Sequence, residues 1–264
     1  MDGPSLKFFH VETDGQGVTT ITLDRPPVNA ISFDVYPEIK AFCEAIEGED
    51  ETHVVILAAK PDARAWCGGA DVNDFVAIPD METRMARYAM MNDCLPRLYN
   101  LDRPVIAAVS GPCIGVGFVI ASFCDMRVAS EEAFFSCPEI DRGVLIASSY
   151  LSRVGIPQAK AREMIYVGRR FTARELESTG FFNYVVPRGD VMAKARELAE
   201  AIAVKPLRAL KANKRHMNES ELTTWVESHL TAQTESARLT FSEEGREAAR
   251  AFLDKRPPAY TKSQ

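Results

Sequence analysis

Glu139 is the side chain in this sequence on which chemistry is most readily built. It ends the run AFFSCPE, following Pro138 and a mostly apolar stretch. A carboxyl held among apolar groups binds its proton more tightly than one in water, which suits acid/base work near neutral pH. A solvent-facing glutamate at a helix start is the plain alternative. The balance shifts because two glycine-containing loops, CGGAD at 67–71 and SGPCIGVG at 110–117, each follow an apolar run of strand character. In an open α/β sheet, ligands bind beyond the carboxyl ends of strands, where two such loops can face one pocket. Backbone N–H groups at Ala70 and Val116, the second at the start of a helix, are then placed to donate to one carbonyl oxygen as it gains negative charge. Either loop alone is equally a tight turn; together with Glu139 they make a candidate catalytic site.

Other chemistries find less support. GVGFVIA imitates a dinucleotide fingerprint but carries Ile120 where the third glycine belongs. Cys113 has no histidine in a recognisable motif with it and reads as a buried structural thiol. Neither GxSxG nor GxxxxGK[ST] occurs. The histidines at 10, 53, 216 and 229 lack metal-ligand spacing, so no metal is expected. Six cysteines without a CxxC pair read as reduced core residues. With 31 basic against 37 acidic residues the net charge is −6, which offers no general attraction to nucleic acid. No run of 18 apolar residues and no leader-like start is present, so a cytoplasmic protein without a membrane span is the expectation.

The elements that must hold these residues are legible from periodicity. Leu6 to Glu12 and Val18 to Asp24 read as a hairpin around TDGQG. Ser32 is the expected cap of a helix to Glu47 with Val35, Ile39, Phe42 and Ile46 on its apolar side. His53 to Ala59 and Pro104 to Val109 read as buried strands, and Phe118 to Phe123 as a buried helix. A helix over Pro79 to Asn100 carries Met85, Tyr88, Met91, Leu95 and Leu98 on one side, with an interruption or bend expected at Pro96. Its flexible thioethers would suit an acyl chain if it bordered the pocket. A helix follows from Pro157 to Val167. TARE at 172–175 is a capping box for a helix that should stop at Gly180, and Tyr184 to Val186 is the last strand. From Asp190 the pattern is helical, with breaks near Pro206, Glu219 and Ser242. The expected class is α/β, with a core over 1–189 and a helical region over 190–264.

At these motifs the chain resembles the crotonase superfamily, the enoyl-CoA hydratase/isomerase group. RPPVNAIS looks like the loop near the CoA adenine, AWCGGADV like the first oxyanion loop, RPVIAAVSGPCIGVGFVIASFCD like the second, and CPEI like the catalytic-glutamate segment. VGRRFTARELESTGFFNYVVP and AFLDKRPP are similar to family features as well. The resemblance implies a spiral of ββα units with a C-terminal trimerisation region, assembled as homotrimer or hexamer. Coenzyme A would be part of the substrate, with no separate cofactor. It implies oxyanion N–H groups at Ala70 and Val116, acid/base work by Glu139, and acyl-CoA contacts at Val28, Ala30, Gly68, Asp71, Val72 and Val119. Phe252 and Lys255 match C-terminal positions that approach CoA, often from a neighbouring subunit. Three departures stand out: Val119 occupies the place of a second glutamate, Val116 replaces a usual glycine, and a shorter GVLIASSYL follows the PEI motif. Hydration uses both carboxylates with a water, whereas moving a double bond needs one base. Isomerisation or another single-base reaction on a thioester enolate is therefore the favoured expectation. A hydratase that works without the second glutamate and an acyl-CoA-binding protein without turnover are the alternatives.

Overall fold

The computed structural model describes residues 6–146, 151, 154–221, 233–234 and 237–259. Residues 147–150 of the shortened GVLIASSYL segment lie outside them.

The expected hairpin is present. Strands β1 (Phe9–Thr13) and β2 (Val18–Leu23) pair antiparallel, and Asp14 Oδ1 closes their turn by accepting from the Gln16 and Val18 amides at 2.9 and 3.0 Å. Helix α1 (Val35–Glu47) buries Val35, Ile39, Phe42 and Ile46. Its start differs from the expectation. Asp34 precedes the first turn, and Ser32 contributes only its carbonyl, which accepts from Val35 N–H at 3.0 Å. Asp74 Oδ2 takes the Phe33 amide at 2.8 Å, which holds the chain in a turn and delays the helix.

Strand β3 (Val54–Ala59) is buried at every position. Two helices follow, the short α2 (Val72–Val76), capped by Asp71, and α3 (Met81–Asn100), capped by Asp80. The second continues through Pro96 to Asn100, because Leu95, Leu98 and Tyr99 hold both sides of the proline against the core. Its buried side begins at Arg84 and runs through Tyr88, Leu95 and Leu98, while Met85 is exposed. The apolar stripe is thus one position out of register at its start.

The chain then builds β4 (Val105–Val109), β5 (Cys113–Ile114), α4 (Val116–Phe123), β6 (Met126–Ser130) and β7 (Phe134–Ser136). A 3₁₀ turn, Pro138–Arg142, carries Glu139. Helix α5 (Gln158–Val167), strand β8 (Phe171–Thr172), helix α6 (Ala173–Glu177) and strand β9 (Tyr184–Val186) come next. The capping box forms between Thr172 and Glu175. The helix stops at Glu177, earlier than Gly180, because the Gly180 amide turns back to the Glu177 carbonyl at 2.9 Å and φ there is +81°.

Six strands form the main sheet in the order β1-β2-β3-β4-β6-β9, parallel except for the hairpin; β5, β7 and β8 form a second sheet. Alternate residues of β3 are buried on opposite faces of the main sheet. Val55 and Leu57 join the large core with α1, α3 and α4. Val54, Ile56 and Ala58 meet α7 (Val191–Ala203), whose Val191, Ala195, Ala199 and Ala203 are small enough to let it lie close. The helical region expected over 190–264 therefore opens with a helix that belongs to the core. Helices α8 (Leu207–Glu221) and α9 (Glu243–Leu253) follow, the latter capped by Ser242 as expected of a break there. The helix expected to break near Glu219 runs to Glu221, beyond which residues 222–232 lie outside the described residues.

All six cysteines are free and buried. Among the described residues no helix is long and apolar enough to cross a membrane.

Lys214 ties α8 to the sheet that carries the site. It is 5% exposed and donates to the Arg103 carbonyl and to Asp125 Oδ2, both at 2.8 Å, and the same oxygen accepts the β4 amide of Val105 at 2.6 Å. Lys214→Met is expected to cost about 2–3 kcal/mol, since it leaves the Asp125 carboxylate without its cation and the Arg103 carbonyl without this donor. A urea denaturation midpoint measures it, and an unchanged midpoint would remove this anchor from the account.

Candidate active site

The two loops meet through backbone hydrogen bonds. Cys67 N–H donates to the Pro112 carbonyl at 3.1 Å and Ile114 N–H to the Cys67 carbonyl at 3.0 Å, forming a parallel bridge between Cys67 and Cys113. Helix α4 starts immediately afterwards, where the chain leaves β5 of the second sheet to return to β6 of the main one. A side chain at Gly117 would stand 2.6 Å from Cys67 Cβ and 2.7 Å from its Sγ, so only glycine lets the first loop lie this close to the helix. Gly115 sits at φ +54°, and a methyl group there would collide with Glu139 Oε1.

The first loop is also held from its other side. Ile31 N–H donates to the Gly69 carbonyl at 2.8 Å, and Asp71 N–H donates to the Ile31 carbonyl at 2.9 Å. These bonds flank Ala70, whose own N–H has no acceptor among the described residues. Val116 is the first residue of α4; the Phe118 and Val119 amides turn back to the Gly115 carbonyl at 2.9 and 3.1 Å, and Val116 N–H has no such acceptor. Two backbone donors without an acceptor among the described residues thus flank one cavity, the second at the positive end of the α4 dipole.

The cavity measures about 510 Å³. Ala70, Val72, Val116, Val119 and Glu139 all line it. Gly115 N–H donates to the Ser136 carbonyl at 2.9 Å, which sets β7, and so the turn bearing Glu139, beside the second loop. Glu139 has some exposure as a residue, but its Oε2 is sealed from solvent and has no hydrogen-bond partner. Burial pushes the carboxyl up to about 7, against the smaller opposing pull of the Arg142 guanidinium. Asp141 is exposed. Cys113 is fully buried, and burial raises its thiol well above the ordinary value, as a structural role requires.

The remaining expected contacts fall outside the cavity wall. Val28 and Ala30 are joined to Gly68 and Asp71 of the first loop: Gly68 N–H donates to the Val28 carbonyl at 2.8 Å, while Arg25 donates to the Ala30 carbonyl at 2.9 Å and to Asp71 at 2.8 Å. Asp71 also caps α2, so its carboxylate is already engaged. Phe252 is half exposed, with the Arg142 guanidinium 4.2 Å from its ring centre, and Lys255 is exposed just beyond α9. Sequence reading missed Tyr36, Arg84 and Arg142 in the wall. For Arg84 a signal existed: it sits four residues before Tyr88, a charge on the apolar side of α3.

A family model described as enoyl-CoA hydratase/isomerase matches residues 13–263. The chain belongs to the enoyl-CoA hydratase/isomerase family. With that family it is an acyl-CoA enzyme, and the α/β crotonase fold with two sheets and C-terminal helices agrees. It is similar to an enoyl-CoA hydratase/isomerase structure from Pseudoalteromonas atlantica T6c, with a TM-score of 0.85 at 26% identity, covering 97% of this chain and 100% of that one. Among curated relatives, a short-chain-enoyl-CoA hydratase from Clostridium acetobutylicum is 30% identical over 93% of this chain and 94% of its own. A (7aS)-7a-methyl-1,5-dioxo-2,3,5,6,7,7a-hexahydro-1H-indene-carboxyl-CoA hydrolase from Rhodococcus jostii is 34% identical over 78% of this chain and 79% of its own. The family thus spans more than one reaction.

Burial of Glu139 has a stability consequence of fixed sign. Between its ordinary value of 4.5 and about 7, the folded chain holds a proton that the unfolded chain has released, so stability falls as pH rises through that window. Glu139→Gln lacks the effect and is expected to be about 2–3 kcal/mol more stable than the parent at pH of about 8, an advantage gone at pH of about 4. Paired denaturation curves at the two pH values check it.

Proposed function

We propose that the chain removes a proton from the carbon next to an acyl-CoA carbonyl and returns it elsewhere on the same acyl group. Glu139 acts as the single acid/base. As the C–H bond breaks, its electron pair moves into the carbonyl and the thioester oxygen becomes an enolate, held by Ala70 N–H and Val116 N–H. For a 3-enoyl thioester the electrons then move outward, the γ-carbon takes the proton from Glu139, and the product is the 2-enoyl thioester. The observation that carries this reading is one buried carboxyl with an unpartnered oxygen on the same cavity wall as two unpaired amides, with Val119 rather than a second carboxylate beside them. Val119 leaves nothing at that place to hold a water and move its proton.

A second reading is favoured by the hydrolase name of the 34% identical relative: the same oxyanion site would receive an enolate released when water cleaves the acyl group. The reading extends to assembly as a homotrimer or hexamer through residues 190–264, with Phe252 and Lys255 beside the CoA of their own or a neighbouring subunit. Half exposure of Phe252 on α9 supports that placement.

A panel of 2-enoyl, 3-enoyl, 3-hydroxyacyl and 3-oxoacyl thioesters decides among these. Turnover of the 3-enoyl substrate is expected, falling about 10²- to 10⁴-fold in Glu139→Gln. Water-dependent loss of the 3-oxoacyl thioester alone would favour the hydrolase, preferred turnover of the 2-enoyl thioester to the 3-hydroxyacyl product would favour a hydratase, and binding without any turnover would make the chain a silent acyl-CoA binder.

A further inference from the structure

Arg84 is the least expected feature of the cavity. It lies on the wall and is 1% exposed. Nη2 donates to Thr240 Oγ1 at 2.6 Å, but Nε and Nη1 are buried with no hydrogen-bond partner. The guanidinium carbon stands 4.5 Å from the ring centre of Phe75 and 5.4 Å from that of Tyr88, and no carboxylate pairs with it among the described residues. Tyr36 shares the wall: it is 0% exposed, and its hydroxyl is likewise buried without a partner. Val72, Ile78, Pro79 and Leu95 supply apolar surface to the same cavity.

A guanidinium does not escape burial by giving up its proton, so an unpaired buried one is costly and is tolerated where a ligand completes it. Arg84 offers only donors, and the hydroxyl of Tyr36 offers another. A plain alkyl chain in this cavity would leave all of them desolvated and unpaired, which discriminates against it. A ligand with an anionic acceptor away from the thioester would satisfy them. Arg246 and Arg250 also line the cavity but are exposed, where water screens them.

We infer that Arg84 and Tyr36 form a recognition site for a carboxylate on the distal part of the acyl group, so that the substrate class is the mono-CoA thioester of a dicarboxylic acid. This rests on the proposed acyl-CoA reading of the cavity and adds to it the group at the far end. The specificity would come from a charge that the fold buries at its own expense and the substrate neutralises.

Equilibrium binding tests it without turnover, so the outcome does not depend on whether Glu139 is the base. Calorimetric titration compares glutaryl-, adipoyl- and suberoyl-CoA with pentanoyl-, hexanoyl- and octanoyl-CoA. At least one carboxylated member is expected to bind about tenfold or more tightly than its methyl-ended counterpart. Arg84→Met should abolish that preference, leave alkanoyl binding unchanged or tighter, and keep the thermal midpoint at or above that of the parent. Tyr36→Phe should reduce the preference in a chain that keeps its core packing. Equal affinities for the two series in the parent overturn the inference, as does a preference that survives both substitutions. A destabilised Arg84→Met that still prefers carboxylates assigns Arg84 a structural role instead. Tighter binding of levulinoyl- than of glutaryl-CoA would assign a neutral carbonyl and overturn the carboxylate. If neither series binds, the acyl-CoA reading itself falls.

Discussion

The close approach of the Cys67 loop to the start of α4 is the contact on which the rest of the site depends. It is made of backbone: a parallel bridge from Cys67 to Cys113, with two hydrogen bonds of 3.1 and 3.0 Å. Gly117 leaves room for Cys67, and Gly115 leaves room for the Glu139 carboxyl. Without that approach the amides of Ala70 and Val116 would belong to two separate turns. With it they are two unpaired donors on one cavity, and preorganised donors of this kind need no rearrangement as charge develops between them.

Glu139 enters the same arrangement from the second sheet, which brings β7 against β5. Its burial suits the acid/base role proposed for it and works against stability, because a carboxyl held up to about 7 is costly to ionise in the folded chain. Arg84 poses the same trade at another part of the cavity, with the opposite charge. Both groups are tolerated because the surrounding core is extensive: β3 and β4 are buried at every position. A cavity walled by desolvated ionisable groups, Glu139, Arg84 and Arg142 among them, is suited to completion by a ligand, and the proposed reaction leaves the proton transfer to Glu139 because Val119 stands where a second carboxylate would.

Much of this was legible in the sequence, for physical reasons. The apolar runs of β3 and β4 admit little but buried strands, the Thr172 capping box is a local signal, and glycine at 115 and 117 marks close backbone approach before any partner is known. The family motifs then placed Ala70, Val116, Val119 and Glu139 together, and all four line the cavity. What escaped depends on tertiary contacts. Ser32 looked like a cap, but Asp74, far along the chain, holds Phe33 in a turn and moves the helix start. The buried side of α3 was read from Met85, when it begins at Arg84, because hydrophobicity alone does not predict that a charge will be turned inward. Arg25 engages both Ala30 and Asp71, a contact between RPPVNAIS and the first loop that no spacing rule contains.

The central claim is that one carboxylate moves a proton within an acyl group held by two amides. Following a 3-enoyl thioester in heavy water by proton NMR tests it most directly. The account predicts part of the original α-proton delivered to the γ-carbon, deuterium at the γ-carbon where the Glu139 proton exchanges with solvent first, no 3-hydroxyacyl product, and transfer slowed about 10²- to 10⁴-fold in Glu139→Gln. Addition of solvent to form the 3-hydroxyacyl thioester, or proton transfer undiminished in Glu139→Gln, would contradict it.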